Sequence, residues 1–183
     1  MEIENKWDSL KLHPGINSLE HYRSALFVHF NPNHIITESY KLLRENLELI
    51  YPSDKTRVIL VSSATYKEGR STTCANLSIT YAQSGKRVCL LECDFRNPAI
   101  ENIFGIDQNE PGMSDIILGT VHWKDCIQSI TDIILGSFSV DQVLSQPGLE
   151  NLFIIPHGTK RFNPSMLLDS DKIPYVFDEL KLS

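Results

Sequence analysis

Arg57-Val58-Ile59-Leu60-Val61-Ser62-Ser63-Ala64-Thr65-Tyr66-Lys67-Glu68-Gly69-Arg70-Ser71-Thr72 decides how this chain is read. Its first half is a continuous apolar run without alternation, as expected of a strand inside a parallel sheet covered on both faces. Its second half is a loop with a glycine and two hydroxyls that leads into a helical stretch to about Gln83, stopped by Ser84-Gly85. A second apolar run, Arg87 to Glu92, follows. Strand, loop, helix and strand within about 35 residues make a βαβ unit, whose crossover is right-handed.

The loop lies where a P-loop belongs. Such a loop wraps phosphates with backbone N–H groups and aims a helix N-terminus at them. It also needs a cation for the outer phosphates and a hydroxyl for Mg²⁺. Gly69 permits close backbone approach, Ser71 is placed as the Mg²⁺ hydroxyl, and Thr72 is placed to contact the inner phosphate. Lys67 and Glu68 belong to the cradle. Two positions depart from G-x-x-x-x-G-K-[ST]: the first glycine is Ala64 and the lysine is Arg70. Arginine keeps the charge but is longer, planar and less hydrated than lysine. Alone, the motif leaves an ordinary strand-to-helix turn as an equal alternative. The second strand changes that balance, because it ends Glu92-Cys93-Asp94. Carboxylates at the carboxyl end of a parallel strand beside a P-loop can hold Mg²⁺ or its waters. A solvated strand end is the plainer alternative.

The rest of the chain fits one domain of 183 residues, 42% hydrophobic and 22% charged, with a net charge of -6. An acidic chain of this kind lacks the basic face of a nucleic-acid binder. No run reaches the length of a membrane span, and the charged start has no signal-peptide character, so the expectation is a cytoplasmic protein. Cys74, Cys89, Cys93 and Cys126 show no zinc spacing, and Cys89 and Cys93 read as reduced core residues. Residues 1–32 lack a clear period and read as a partly ordered leader. Ile36 to Ile50 has helical periodicity. Asp115 to Leu118 and Asp132 to Leu135 both read Asp-Ile-Ile-Leu before a glycine, so segments 114–127 and 131–144 look like two copies of one helical piece. Leu152 to Ile155 reads as a third strand. Asn163-Pro164-Ser165 opens a helix that Pro174 is expected to interrupt.

Taken together, these motifs resemble the bacterial tyrosine-kinase family, the capsular and exopolysaccharide autokinases among the MinD-like (SIMIBI) P-loop ATPases. Ser63 to Thr72 is similar to the family's S-A-T-P-G-E-G-K-S-T, and Leu91 to Pro98 to its L-I-D-A-D-L-R-x-P. Phe104-Gly105, Pro111 to Asp115, Leu118-Gly119, Asn151-Leu152, Ile155-Pro156, Gly158 and Asn163-Pro164-Ser165 follow the family's order downstream. Glu38, Lys41, Arg44 and Asn46 are similar to its E-x-x-R-x-x-R-x-N self-association helix. The resemblance runs from about Asn31 to Leu180. It implies an α/β parallel-sheet P-loop fold over 33–183, with an oligomerisation helix at 33–52 and a nucleotide core at 57–183. It implies ATP and Mg²⁺ as cofactors, Arg70 and Asp94 as the catalytic pair, and Ser71, Glu92 and Asp94 around the metal. As partners it implies sister subunits and a transmembrane polysaccharide co-polymerase or activator.

Four departures stand against full activity: Arg70 for lysine, Glu92 for aspartate, Lys41 for arginine, and no counterpart of the Walker B strand or tyrosine cluster before Ser183. Two readings stay open, a kinase-family nucleotide-binding protein and a non-enzymatic pseudokinase or fragment that binds subunits. A partition ATPase fits less well, because Thr65 occupies the place of that class's early lysine. The departures favour inactivity for the chain alone.

Overall fold

The computed structural model describes residues 25–50, 55–135, 147–159 and 163–182. In chain order these form α1 (Phe27–Phe30), α2 (Ile35–Ile50), α3 (Arg70–Gln83), β1 (Val88–Leu91), α4 (Ile100–Phe104), α5 (Met113–Leu118), β2 (Gln128–Ser129), α6 (Ile130–Leu135), β3 (Leu152–Ile155), α7 (Pro164–Leu168) and α8 (Lys172–Leu182). Short 3-10 turns precede β2 and β3.

The sheet has the order β1-β3-β2. β1 and β3 run parallel, with Val88 opposite Leu152 and Leu91 opposite Ile155, while β2 pairs antiparallel with β3. Alternation along these strands feeds two cores. Leu90, Leu152 and Ile154 face α3 and α4, packing with Ala75, Ile79, Ile103 and Phe104. Ile155, with Leu91 packed alongside, meets Met113, Ile116, Trp123 and Val176 on the other face. Helices on both sides of a mostly parallel sheet are the expected α/β arrangement.

Several details differ from the sequence expectation. Residues 57–63 form no ladder among the described residues, and Val58, Ile59 and Leu60 are 56%, 45% and 86% exposed. The run is apolar enough to be a central strand, but no described strand lies against it. Cys89 is likewise exposed and Cys93 half-buried, whereas Cys126 is buried.

The end of the supposed leader is part of the core. Ala25, Leu26 and Val28 are buried against α3, and the Val28 N–H donates to Asn76 Oδ1 at 2.9 Å. Asn76, fully buried, returns hydrogen bonds from its amide to the carbonyls of Ala25 and Thr72 at 2.7 and 2.8 Å. A short, aperiodic segment gives no sequence signal of this kind, because its burial depends on one polar residue 48 positions away.

The helical break near the end falls at 169–171, ahead of Pro174. Pro174 sits in the first turn of α8, where its missing N–H has no helical partner to lose. Asn163 caps α7 by accepting from the Ser165 N–H at 3.1 Å. Both Asp-Ile-Ile-Leu copies are helical where described, in α5 and α6, and the rest of the second copy lies outside the described residues.

Candidate nucleotide site

α3 begins at Arg70 directly after Gly69, which takes φ +83°. A β-carbon added there would meet nothing within 4 Å, so the backbone itself, and not crowding, calls for glycine. Lys67 also lies in the left-handed region, at φ +67°. Two left-handed residues flanking Glu68 curl the loop. No side chain caps α3, so the N–H groups of its first turn point out of a helix 14 residues long. Those N–H groups and the helix dipole together favour an anion.

Each sequence-proposed residue has a definite place around this turn. Glu68 staples the loop, accepting from the Thr65 N–H at 3.2 Å and from the Thr65 hydroxyl at 2.7 Å. These bonds, the hydroxyl's first, hold its carboxyl below the usual range. Lys67 is exposed, its Nζ 5.5 Å from the centre of the Tyr66 ring. Ser71 and Thr72 occupy the first turn of α3 and are half-buried.

Arg70 turns across the loop. One guanidinium nitrogen donates to Asp94 Oδ2 in a salt bridge, and the other reaches Ser63 Oγ at 3.5 Å. The structure thus brings together the end of the first apolar run, the loop and the end of β1 through one side chain. The other Asp94 oxygen accepts from the N–H groups of Arg96 and Asn97 at 3.2 and 3.0 Å.

Glu92, expected beside the metal, is engaged with the backbone of its own turn. It is 5% exposed. One carboxylate oxygen accepts from the Asp94 N–H at 2.8 Å, and the other from the Ala99 and Ile100 N–H groups at 2.9 and 3.1 Å. Burial pushes its pKa up, and those three N–H bonds pull against the rise. The extra methylene relative to aspartate lets the carboxylate fold back over the turn. Glu92 therefore caps α4 and fixes the backbone of Asp94, and both its oxygens are turned to backbone amides.

A second buried carboxylate braces the ends of β1 and β3. Glu101, 2% exposed on α4, accepts from the His157 N–H and pairs with His157 Nδ1 at 2.6 Å. Burial alone would raise its pKa, but the His157 bonds prevail and hold it below the usual value. Asp115 ties the following loop, accepting from the Gly112 N–H at 3.1 Å and from the Thr159 N–H and hydroxyl at 2.8 Å each. Sequence reading assigns no role to Asn76 or Glu101, and Asp115 enters it only as part of a motif and a repeat. Asn76 has Thr72, Thr73 and Thr80 among its neighbours along the helix, so its sequence position carries no distinctive signal.

The self-association residues separate. Glu38 and Lys41 form an exposed pair at 2.8 Å on α2. Arg44 does not share that free surface: its guanidinium donates to the Thr80 carbonyl at 3.2 Å, and its side chain is 16% exposed.

No family model matches the chain. It is 28% identical over 157 residues to "Putative tyrosine-protein kinase CapB" of Staphylococcus aureus, a match covering 86% of this chain and 61% of that protein. With tyrosine-protein kinase YwqD of Bacillus subtilis the identity is 28% over 139 residues, 76% of this chain and 51% of that one. The chain therefore spans 51–61% of the length of these relatives. Among solved structures, the chimerical protein CapA2B2 superposes with a TM-score of 0.71 at 28% identity, over 87% of this chain and 62% of that one. The BceF tyrosine kinase domain gives 0.68 at 26% identity, over 86% and 55%. The glycine loop ahead of α3, the mostly parallel sheet and these matches agree, and by sequence and by fold this chain is similar to the bacterial tyrosine kinases of the capsule type.

Proposed function

We propose that the chain is the nucleotide-binding part of a capsule-type tyrosine kinase, taking ATP at residues 64–72. The observation that carries this reading is the loop itself. Left-handed Lys67 and Gly69, open space at Gly69 and the uncapped first turn of α3 form an anion cradle. Ser71 and Asp94 supply the oxygen donors that suit Mg²⁺, which would neutralise phosphate charge there. Arg70 is the cation nearest both. Glu92 holds Asp94 in place through its backbone and is the orienting residue of the acidic turn.

A second reading, an inactive subunit that works by binding, is favoured by the same Arg70. A lysine in this position reaches into the cradle, whereas this arginine is drawn to Asp94. Phosphoryl transfer rests on positioning and charge neutralisation, and here the cation and the carboxylate neutralise each other. The exposed aliphatic side chains of α2, with Ile35, Leu42 and Leu49 at 73%, 58% and 76%, support contacts with sister subunits. Pairing with a transmembrane co-polymerase is part of the proposal. Among the described residues, no helix is long and apolar enough to cross a membrane.

Incubation of the purified chain with labelled ATP and Mg²⁺, with and without an activator peptide, tests the choice by phosphotyrosine blot. No signal is expected from the chain alone. A clear signal that is lost on Ser71→Ala would make it a working kinase with arginine in the lysine position.

A further inference from the structure

Residues 25–28 are tied to α3 through one side chain. Asn76, fully buried, accepts from the Val28 N–H at 2.9 Å and gives its two amide hydrogens to the carbonyls of Ala25 and Thr72, at 2.7 and 2.8 Å. Only one orientation of the amide satisfies these partners, since Val28 needs an acceptor and the two carbonyls need donors. Thr72 stands in the first turn of α3, directly after the glycine loop. One amide therefore fixes both the backbone of α1 and the turn that carries the outward N–H groups of the loop. α1 itself is a conditional element. It has four residues and no side-chain cap, too few to persist without tertiary contacts. Leu26 and Val28, 2% and 0% exposed, hold it down, and the Asn31 carbonyl at its far end accepts from the buried Thr37 hydroxyl at 2.6 Å. Against these contacts, His29 is buried with its Nδ1 lacking a hydrogen-bond partner among the described residues, a cost that undocking relieves.

We infer that Asn76 is a positioning residue for the nucleotide loop: the order of the first turn of α3, and with it the hold on a nucleoside triphosphate, depends on residues 25–28 being docked. For its ligand the inference rests on the nucleotide reading above. Two states differ in defined bonds. With α1 docked, all three bonds of Asn76 are made, and the Thr72 carbonyl carries a side-chain bond in addition to its place in the helix. With α1 released, Ala25 and Val28 are gone and the Asn76 amide opens to water, which competes for its hydrogens. The Thr72 peptide then regains freedom. A loop that presents several backbone N–H groups at once to phosphate loses affinity when the turn supporting it is loose, because binding must then order that turn. Coupling of this kind is reciprocal, so a nucleotide that favours the ordered turn also favours docked α1. Whatever loosens α1 thus lowers affinity at the loop.

Amide hydrogen exchange on the full chain tests this. Leu26→Ala loosens α1 without removing any of the bonded polar groups, and Asn76→Leu cuts the tie. The readout is Thr73, whose N–H donates to the Gly69 carbonyl at 2.8 Å, together with Cys74 beside it. Leu26→Ala should speed exchange at both about fivefold or more, while Ile79 to Ala82 and Leu152–Ile155 stay as slow as in the parent. With Asn76→Leu already in place, Leu26→Ala should add nothing at Thr73. A purely structural contact would loosen the chain without this pattern. Unchanged Thr73 exchange in Leu26→Ala, or an equal effect with and without Asn76→Leu, overturns the inference. In the second arm, saturating MgATP should slow exchange at Asn31, whose N–H donates to the Phe27 carbonyl at 3.0 Å, in the parent and not in Asn76→Leu. Protection of the loop by MgATP without protection of Asn31 also overturns the inference. MgATP that protects neither, with the first arm as expected, overturns the nucleotide reading and supports the tie between α1 and the loop.

Discussion

Arg70 and Asp94 are joined by a salt bridge across the mouth of the loop, where one would meet phosphate and the other the metal. The pair is partly exposed, its side chains 30% and 19% accessible, so it contributes little to stability, on the order of 0–1 kcal/mol. Its importance is occupancy. A cation that ligates its neighbouring carboxylate is withdrawn from ligand, and under the proposed function ATP and Mg²⁺ would compete with that contact.

Glu92→Gln should leave the fold intact but weaken it. The amide keeps one acceptor oxygen and turns a donor NH₂ toward N–H groups now satisfied by carboxylate. Replacing bonds of this kind costs about 1–3 kcal/mol. Urea unfolding measures the loss, and exchange at Asp94 and Ala99 should accelerate more than at Leu152–Ile155. Unchanged stability would mean that the turn is held without Glu92.

Glu101 sets a pH dependence. Its folded pKa lies below the unfolded value because of the His157 bonds. The stability it contributes is therefore present above the ordinary carboxylate range and is lost as pH falls through the lowered folded pKa. Urea midpoints taken from about pH 6 down to about pH 3 should fall for the parent chain. In Glu101→Gln the fall should be shallower, from a lower starting stability. Parallel curves would place the acid sensitivity in other groups.

On α2, the sequence motif splits into a surface pair and a packing residue. Glu38→Ala with Lys41→Ala removes one exposed ion pair, worth about 0.2–0.5 kcal/mol, so stability should barely change while an oligomer, if held by this face, dissociates. Arg44→Ala should instead cost about 1–2 kcal/mol through the lost Thr80 bond and packed stem. Light scattering paired with thermal melts separates the two. Loss of mass only with Arg44→Ala would locate the contact near α3.

The loop, α3 and β1 are legible in the sequence because their signals are local. Gly69, the two hydroxyls after it, the Ser84-Gly85 stop and two apolar runs each have a short-range physical cause. The pairing of those runs was not legible. An unbroken apolar run states that a segment suits a sheet interior, and only the tertiary structure states whether neighbours are there, so Val58, Ile59 and Leu60 read as buried and are exposed. The backbone contacts of Glu92 are hidden from the sequence for a related reason. Its position at a strand end suggests a metal ligand, but its reach to the Ala99 and Ile100 N–H groups depends on how the next seven or eight residues fold back. Pro174 was overweighted: proline breaks a helix interior, and the chain places it in a first turn.

Calorimetric titration with MgATP tests the central claim most directly, using the parent chain, Arg70→Lys and Ser71→Ala. The account predicts weak binding by the parent, and affinity about tenfold tighter in Arg70→Lys, which is roughly 1.4 kcal/mol, because the shorter point charge leaves Asp94 and enters the cradle. Ser71→Ala should bind more weakly than the parent. Equal or lower affinity in Arg70→Lys, together with no effect of Ser71→Ala, would contradict nucleotide binding at this loop.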